Sequence, residues 1–112
     1  MKQAIEVVRE HLSKLAVEGS PDAIALTLEA QNIKAFCGQG DQCAIAVSVM
    51  KALYEKLGTT HGLRVAVRSG GRVDLYEEGV CSAAVRIHPE SETLGEFIMR
   101  FDQRRYPALI AS

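Results

Sequence analysis

The sequence predicts an α+β domain built from three N-terminal helices, a three-stranded antiparallel meander and a C-terminal helix. Apolar residues recur at helical spacing before residue 60, alternate with polar residues after it, and return to helical spacing from residue 94. The 112 residues contain no internal repeat and no linker long enough to divide the chain. We therefore expect a single domain, 1–112.

The first two predicted helices are bounded by cap residues. Helix one covers about 2–18, with an apolar stripe on one face, and Gly19 ends it. Ser20 is a natural N-cap for a second helix over roughly 21–31, whose first position holds proline. Asn32 is expected to adopt the left-handed conformation that closes this helix.

The third predicted helix follows the loop FCGQGDQC, 36–43. Asp41 is the predicted N-cap, which places Cys43 in the first turn of a helix that Gly58 ends. The apolar face of this helix is wide, and a wide face indicates packing on more than one side.

The three predicted strands alternate apolar and polar residues. Directly opposed residues of an antiparallel pair share a face, so the register must keep the apolar residues together. Three-residue loops ending in glycine at both turns satisfy this rule. They oppose Val67 with Val73 in the first hairpin and Leu75 with Cys81 in the second, and leave the other sheet face to solvent.

The last predicted helix carries an apolar stripe made of Leu94, Phe97, Ile98 and Phe101. Thr93 and Glu96 have the spacing of a capping box at its start. The tail RRYPALI, 104–110, is expected to fold back on the domain, because its apolar side chains are costly to leave in water.

Composition restricts the classes of function. Thirteen basic and fourteen acidic residues give a net charge of −1, which argues against a dominant attraction to nucleic acid or anionic membrane. No apolar run reaches the roughly 20 residues needed to span a bilayer, and the charged N-terminus is not a signal peptide. The sequence thus predicts a cytoplasmic protein without membrane contact, whose three cysteines stay reduced.

Neither a metal nor a cofactor is predicted. Five residues separate Cys37 from Cys43, whereas the paired ligands of structural zinc sites usually have two to four between them. Cys81 and either His61 or His88 would be required to complete four ligands. The glycine-rich loop also lacks the Gly-Lys-Ser/Thr ending of a phosphate-binding P-loop.

Cys43 allows two interpretations. At a helix start its thiolate would be stabilised by the helix dipole, and Cys37 would act as a resolving thiol, giving a thiol enzyme or a redox protein. The other interpretation is that both cysteines are inert packing residues. We expect the second, and therefore no enzymatic activity.

The outer sheet face is the first predicted binding surface. Its basic and aromatic residues are Arg64, Arg68, Arg72, Arg86 and Tyr76. This composition suits contacts with a protein, or with single-stranded nucleic acid as an alternative, although Asp74 interrupts the basic patch.

The C-terminal segment is the second predicted binding surface. Arg104, Arg105 and Tyr106 lead into apolar residues that could also mediate self-association, so a homo-oligomer is expected as one form of partner.

Two stretches carry a resemblance. DQCAIAVSVMKAL is similar to a Cys-Pro-Ile/Leu-Ala pattern that opens a helix in small uncharacterised proteins of actinobacteria and their phages, with Ala44 in place of the proline. FIMRFDQRRYPALI resembles their Phe-Asp…Tyr-Pro-x-Leu ending. The resemblance implies a phage or mobile-element source and no mechanism.

Together these observations predict a small non-enzymatic interaction or regulatory module. It would act by binding another macromolecule, with a protein as the expected partner. The thiol chemistry of Cys43 and nucleic-acid binding remain the alternatives.

Overall fold

The computed structural model describes residues 2–37, 43–67, 73–85 and 92–111. The elements are α1 (Lys2–Ala16), α2 (Pro21–Ala30), α3 (Ala44–Leu57), β1 (Leu63–Val67), β2 (Val73–Glu77), β3 (Val80–Val85), α4 (Glu92–Asp102) and a 3₁₀ helix (Pro107–Leu109). The α+β class is as predicted. The predicted arrangement is wrong in the register of the second hairpin and in the first residues of α3 and α4. The 3₁₀ helix was not predicted.

Helix α2 has the caps that its sequence predicts. The Ser20 hydroxyl accepts a hydrogen bond from the Ala23 N–H at 3.1 Å. At the other end Asn32 has a left-handed φ of 59°, and the Ile33 N–H donates to the Leu28 carbonyl at 3.1 Å. These bonds satisfy groups that a helix end leaves without partners, so the caps fix both boundaries of α2.

The predicted start of α3 is wrong. Cys43 has extended backbone angles, φ −72° and ψ 166°, and occupies the N-cap position itself, so the helix begins at Ala44. Asp41, the predicted N-cap, lies outside the described residues. Gly58 ends the helix as expected, with φ 78° and its N–H donating to the Tyr54 carbonyl at 2.9 Å.

The sheet has the strand order β1-β2-β3, with antiparallel neighbours. In the first hairpin Val67 pairs with Val73 and Val65 pairs with Leu75, which confirms the predicted register. All four side chains are buried, so the sheet presents one apolar face to the helices. The loop between these strands lies outside the described residues.

The predicted register of the second hairpin is wrong. Tyr76 pairs with Cys81, and Leu75 pairs with Ala83 rather than with Cys81. The connection is a two-residue turn, 78–79, in which both residues have positive φ, 52° and 83°. Such a turn matches the twist of a hairpin, and a bulge at Leu75/Tyr76 then shifts the pairing by one residue.

Helix α4 begins at Glu92, so Thr93 lies inside the helix and is not the cap that its spacing with Glu96 suggested. Its other end is closed by Arg104, which has a left-handed φ of 60° and whose N–H donates to the Phe101 carbonyl at 2.9 Å. Arginine is an unusual residue at a left-handed position, so the sequence did not predict that Arg104 closes the helix.

The C-terminal segment folds back on the domain, as predicted. Ala35 donates to the Leu109 carbonyl and accepts from the Ala111 N–H, both at 2.8 Å, which forms a parallel bridge with Ile110. Leu109 is fully buried, and the Tyr106 ring stacks on Phe97 with centroids 5.2 Å apart. The segment is therefore part of the core.

The core surrounds α3, which contacts α1, β1 and α4. Its largest fully buried side chains are Phe97, Phe101, Leu12, Leu15, Ile24, Leu28, Ile45, Leu53, Leu75, Leu94, Leu109 and Val8. Within the described part of the chain, no helix combines the length and apolar character needed to cross a membrane.

Leu109→Ala should lower the free energy of unfolding by about 2–5 kcal/mol, because it removes a buried side chain and leaves a cavity. Leu26→Ala is the matched control: Leu26 is 67% exposed, so its loss should change stability by no more than about 0.5 kcal/mol. Urea denaturation followed by circular dichroism measures both. Equal stabilities for the two variants would show that the C-terminal segment is not part of the core.

Candidate functional site

Cys43 lies at the start of α3 and is only 4% exposed. Burial raises the pKa of its thiol, an effect that the backbone N–H groups of Ala46 and Ile45 oppose and the charge of Asp102 reinforces. A raised pKa keeps the side chain in its unreactive thiol form. The geometry therefore favours the packing interpretation of Cys43 over the nucleophilic one.

Cys37 lies at the other end of the loop and also makes a contact within the domain. Its half-buried thiol donates a hydrogen bond to the Phe101 carbonyl at 3.1 Å. Cys37 and Cys43 are both free thiols. The hydrogen bond of Cys37 attaches the segment before α3 to the end of α4.

The described residues contain no group of three or more His, Cys, Asp and Glu side chains that could hold a metal ion. His88, one of the two histidines considered for such a site, lies outside them. His61 is exposed, next to the start of β1.

The described part of the predicted outer-face surface is exposed at one end and buried next to it. The Arg64 guanidinium lies 5.4 Å from the centre of the Tyr76 ring, and these directly paired residues form one open end of the face. Ala66 and Asp74, the next pair along, are only 8% and 6% exposed. The expectation of a fully solvated face is therefore wrong for the described strands.

Three of the four arginines assigned to this surface, Arg68, Arg72 and Arg86, lie outside the described residues. The described part of the surface holds Arg64 and Tyr76, which we call the Arg–Tyr pair. A guanidinium over an aromatic ring gains a cation–π attraction that restrains both side chains.

Tyr106, predicted as a contact residue, is held within the domain. Its hydroxyl donates to the Asp22 carboxylate at 2.9 Å, and its ring stacks on Phe97. Burial and Asp22 raise the pKa of the Tyr106 hydroxyl, against the opposing effect of Arg100. Tyr106 thus joins α4 to α2, while Arg104 and Arg105 remain exposed beside it.

A cleft that the sequence did not predict lies between α1 and α3, and we call it the α1–α3 cleft. It has a volume of about 270 Å³. Its polar and charged lining residues are Glu10, His11, Lys14, Gln31, Ser48, Lys51, Glu55 and Lys56. The cleft therefore brings side chains of α1 and α3 together with Gln31 at the end of α2.

A histidine–serine pair lies in the α1–α3 cleft. His11 Nε2 is 3.0 Å from Ser48 Oγ, and Ser48 Oγ is 2.8 Å from the Ile45 carbonyl. A carbonyl oxygen only accepts hydrogen bonds, so the Ser48 hydroxyl donates its single proton to the Ile45 carbonyl. In the contact between His11 and Ser48, Nε2–H is therefore the donor and Ser48 Oγ the acceptor. Ser48 is 1% exposed and His11 does not act as its base, so this pair is not a nucleophile and its activator.

The charges around His11 are mixed. Lys14 forms an ion pair with Glu10 at 3.1 Å, and Lys51 Nζ donates to the Gln31 carbonyl at 2.7 Å. Burial lowers the pKa of His11; Lys14 lowers it further, and Glu55 raises it. His11 is thus held neutral near pH 7 but remains close to proton donors and acceptors.

A weak signal for the cleft is visible in the sequence. His11 lies three residues after Val8 and four before Leu15, within the apolar stripe of α1. Ser48 has the same position relative to Ile45 on α3. A polar residue within each of two apolar stripes indicates a polar contact between helices, but periodicity does not show that the two helices are neighbours.

No family model, curated protein or solved structure matches the chain. The resemblance to small actinobacterial and phage proteins therefore stays a prediction.

Cys43 should react with iodoacetamide at least about a hundredfold more slowly than Cys37 in the native protein at neutral pH, because it is buried and protonated. Peptide mass spectrometry assigns the rate to each residue. The same measurement in urea is the control, since both thiols should then react alike. Labelling of native Cys43 as fast as that of Cys37 would restore the thiol-enzyme interpretation.

Proposed function

We propose that this protein is a non-catalytic binding module that contacts a partner protein through the Arg–Tyr pair. Arg64 is exposed and Tyr76 half-buried at the open end of the sheet, and their stacking holds the two side chains in one arrangement. Arginine and tyrosine are the residue types that most often dominate the binding energy of protein interfaces. The stacked pair is the observation that carries this proposal.

The same surface suits a protein better than single-stranded nucleic acid. Arg64 covers one face of the Tyr76 ring, where a base would otherwise stack. Glu77 and Glu78, exposed at the end of the same strand, would repel a phosphate backbone. The matching surface on a partner is an acidic group opposite Arg64.

Self-association is one form that this contact can take. A second copy of the chain would then supply exposed carboxylates to Arg64. The burial of Cys43 and its raised thiol pKa support a role without catalysis.

Arg64→Glu should weaken partner binding by at least about tenfold, because it removes the cation–π contact and reverses the charge. Arg9→Glu on α1 is the control with the same charge change at another exposed site. Proteins that copurify with the tagged chain from the native host are identified first, and the purified complex is then titrated by calorimetry. Sedimentation velocity over a range of concentrations tests the second copy as partner.

Equal binding by the Arg64→Glu and Arg9→Glu variants would remove the Arg–Tyr pair from the proposal. Steeply salt-dependent binding of a single-stranded oligonucleotide, lost in Arg64→Glu, would replace the protein partner with nucleic acid. Deletion of 104–112 is not a suitable test, because it would remove Leu109 from the core.

A further inference from the structure

His11 has one ring nitrogen to offer a ligand in the α1–α3 cleft. Nε2 donates to Ser48, and among the described residues Nδ1 has no hydrogen-bonding partner. Nδ1 accepts a hydrogen bond in the neutral ring and donates one after protonation. Because Nε2 donates to Ser48 in both states, His11 changes from acceptor to cationic donor without moving.

The charged residues of the cleft carry one more positive than negative charge, from three lysines and two glutamates. Glu10 is already paired with Lys14. Lys51 donates one ammonium proton to the Gln31 carbonyl and has two more to donate, so Lys51 and Lys56 are the cations that remain for a ligand. The glutamates would repel a bare polyanion, and their oxygens accept hydrogen bonds from hydroxyl groups. This lining suits a ligand that has one anionic group and several hydroxyls.

A phosphate monoester suits His11 better than a carboxylate does. Its second pKa is about 6, so both of its ionisation states are populated near neutral pH. The phosphate monoanion donates a hydrogen bond from its P–OH group to Nδ1 of the neutral ring. The phosphate dianion accepts a hydrogen bond from Nδ1–H of the protonated ring. One proton shared between phosphate and ring therefore forms the contact in either ionisation state of the phosphate. A carboxylate has no proton to donate and pairs only with the protonated ring.

The size of the cleft limits the ligand to a small molecule. About 270 Å³ lies near the lower end of the range for ligand pockets. A shallower groove of about 560 Å³ shares Val7, Glu10 and Lys56 with the cleft and continues along α1 toward Thr59. A phosphate at His11 would therefore leave the rest of the ligand room along this groove.

We propose that the α1–α3 cleft binds the phosphate group of a small hydroxylated molecule, with His11 and Lys51 as its main contacts. The site is separate from the Arg–Tyr pair. It is formed by helices, and its buried Ser48 fixes the orientation of the histidine.

The test follows the imidazole resonances of His11 by NMR during pH titrations in chloride, inorganic phosphate, glycerol phosphate and acetate at equal ionic strength. Phosphate should raise the titration midpoint of His11 by about one pH unit. The reason is that a dianion that binds the protonated ring about tenfold more tightly than the neutral ring shifts the midpoint by one unit. We expect a dissociation constant on the order of 1 mM for inorganic phosphate. Tighter binding of glycerol phosphate would identify a monoester as the ligand, and equal binding would identify the free ion.

Lys51→Gln should weaken phosphate binding about tenfold, since a charge-assisted contact is lost. Lys34→Gln is the matched control: Lys34 donates to the Ala108 carbonyl and does not line the cleft. His61, which is exposed and outside the cleft, should titrate alike in all four salts and serves as the internal reference. An unchanged His11 midpoint in phosphate, a dissociation constant for acetate as low as that for phosphate, or equal phosphate binding by the two lysine variants would overturn the proposal.

Discussion

Helix α3 is packed by α1, by β1 and by α4, and the positions of the other elements follow from this burial. Ile45, Val49 and Leu53 are almost completely removed from water along its length. Burial of such side chains supplies about 1.5–3 kcal/mol each, so any shift of α3 would cost several contacts at once. The same packing buries Cys43 at the start of α3 and Ser48 along it. Burial raises the pKa of the Cys43 thiol and keeps the Ser48 hydroxyl away from solvent.

The C-terminal segment completes the side of the core that α2 and α4 leave open. Leu109 enters the core, the main-chain bridge at Ala35 fixes the direction of the segment, and Tyr106 joins Asp22 of α2 to Phe97 of α4. A stretch whose composition suggested a binding surface is thus largely a structural element. Its exposed arginines are what remains of that surface.

Three features that depend on neighbours in sequence were predicted correctly. The Ser20 cap, the left-handed Asn32 and the closing Gly58 all act within one helical turn. The first hairpin was also predicted, because the alternation of side chains together with a short glycine-containing loop selects the register that opposes Val67 with Val73. The second hairpin was not, since a bulge changes the pairing without leaving a pattern in the sequence.

The sequence by itself determined the α+β class, both ends of α2, the end of α3 and the apolar faces, because local propensity and periodicity encode them. Only the tertiary structure decided which polar residues meet. His11 and Ser48 are 37 residues apart and form a pair because α1 packs on α3. Arg64 reaches Tyr76 because of the strand register, and Cys43 is buried because α3 is packed at its start. Contacts between distant segments depend on packing geometry, which one sequence does not reveal.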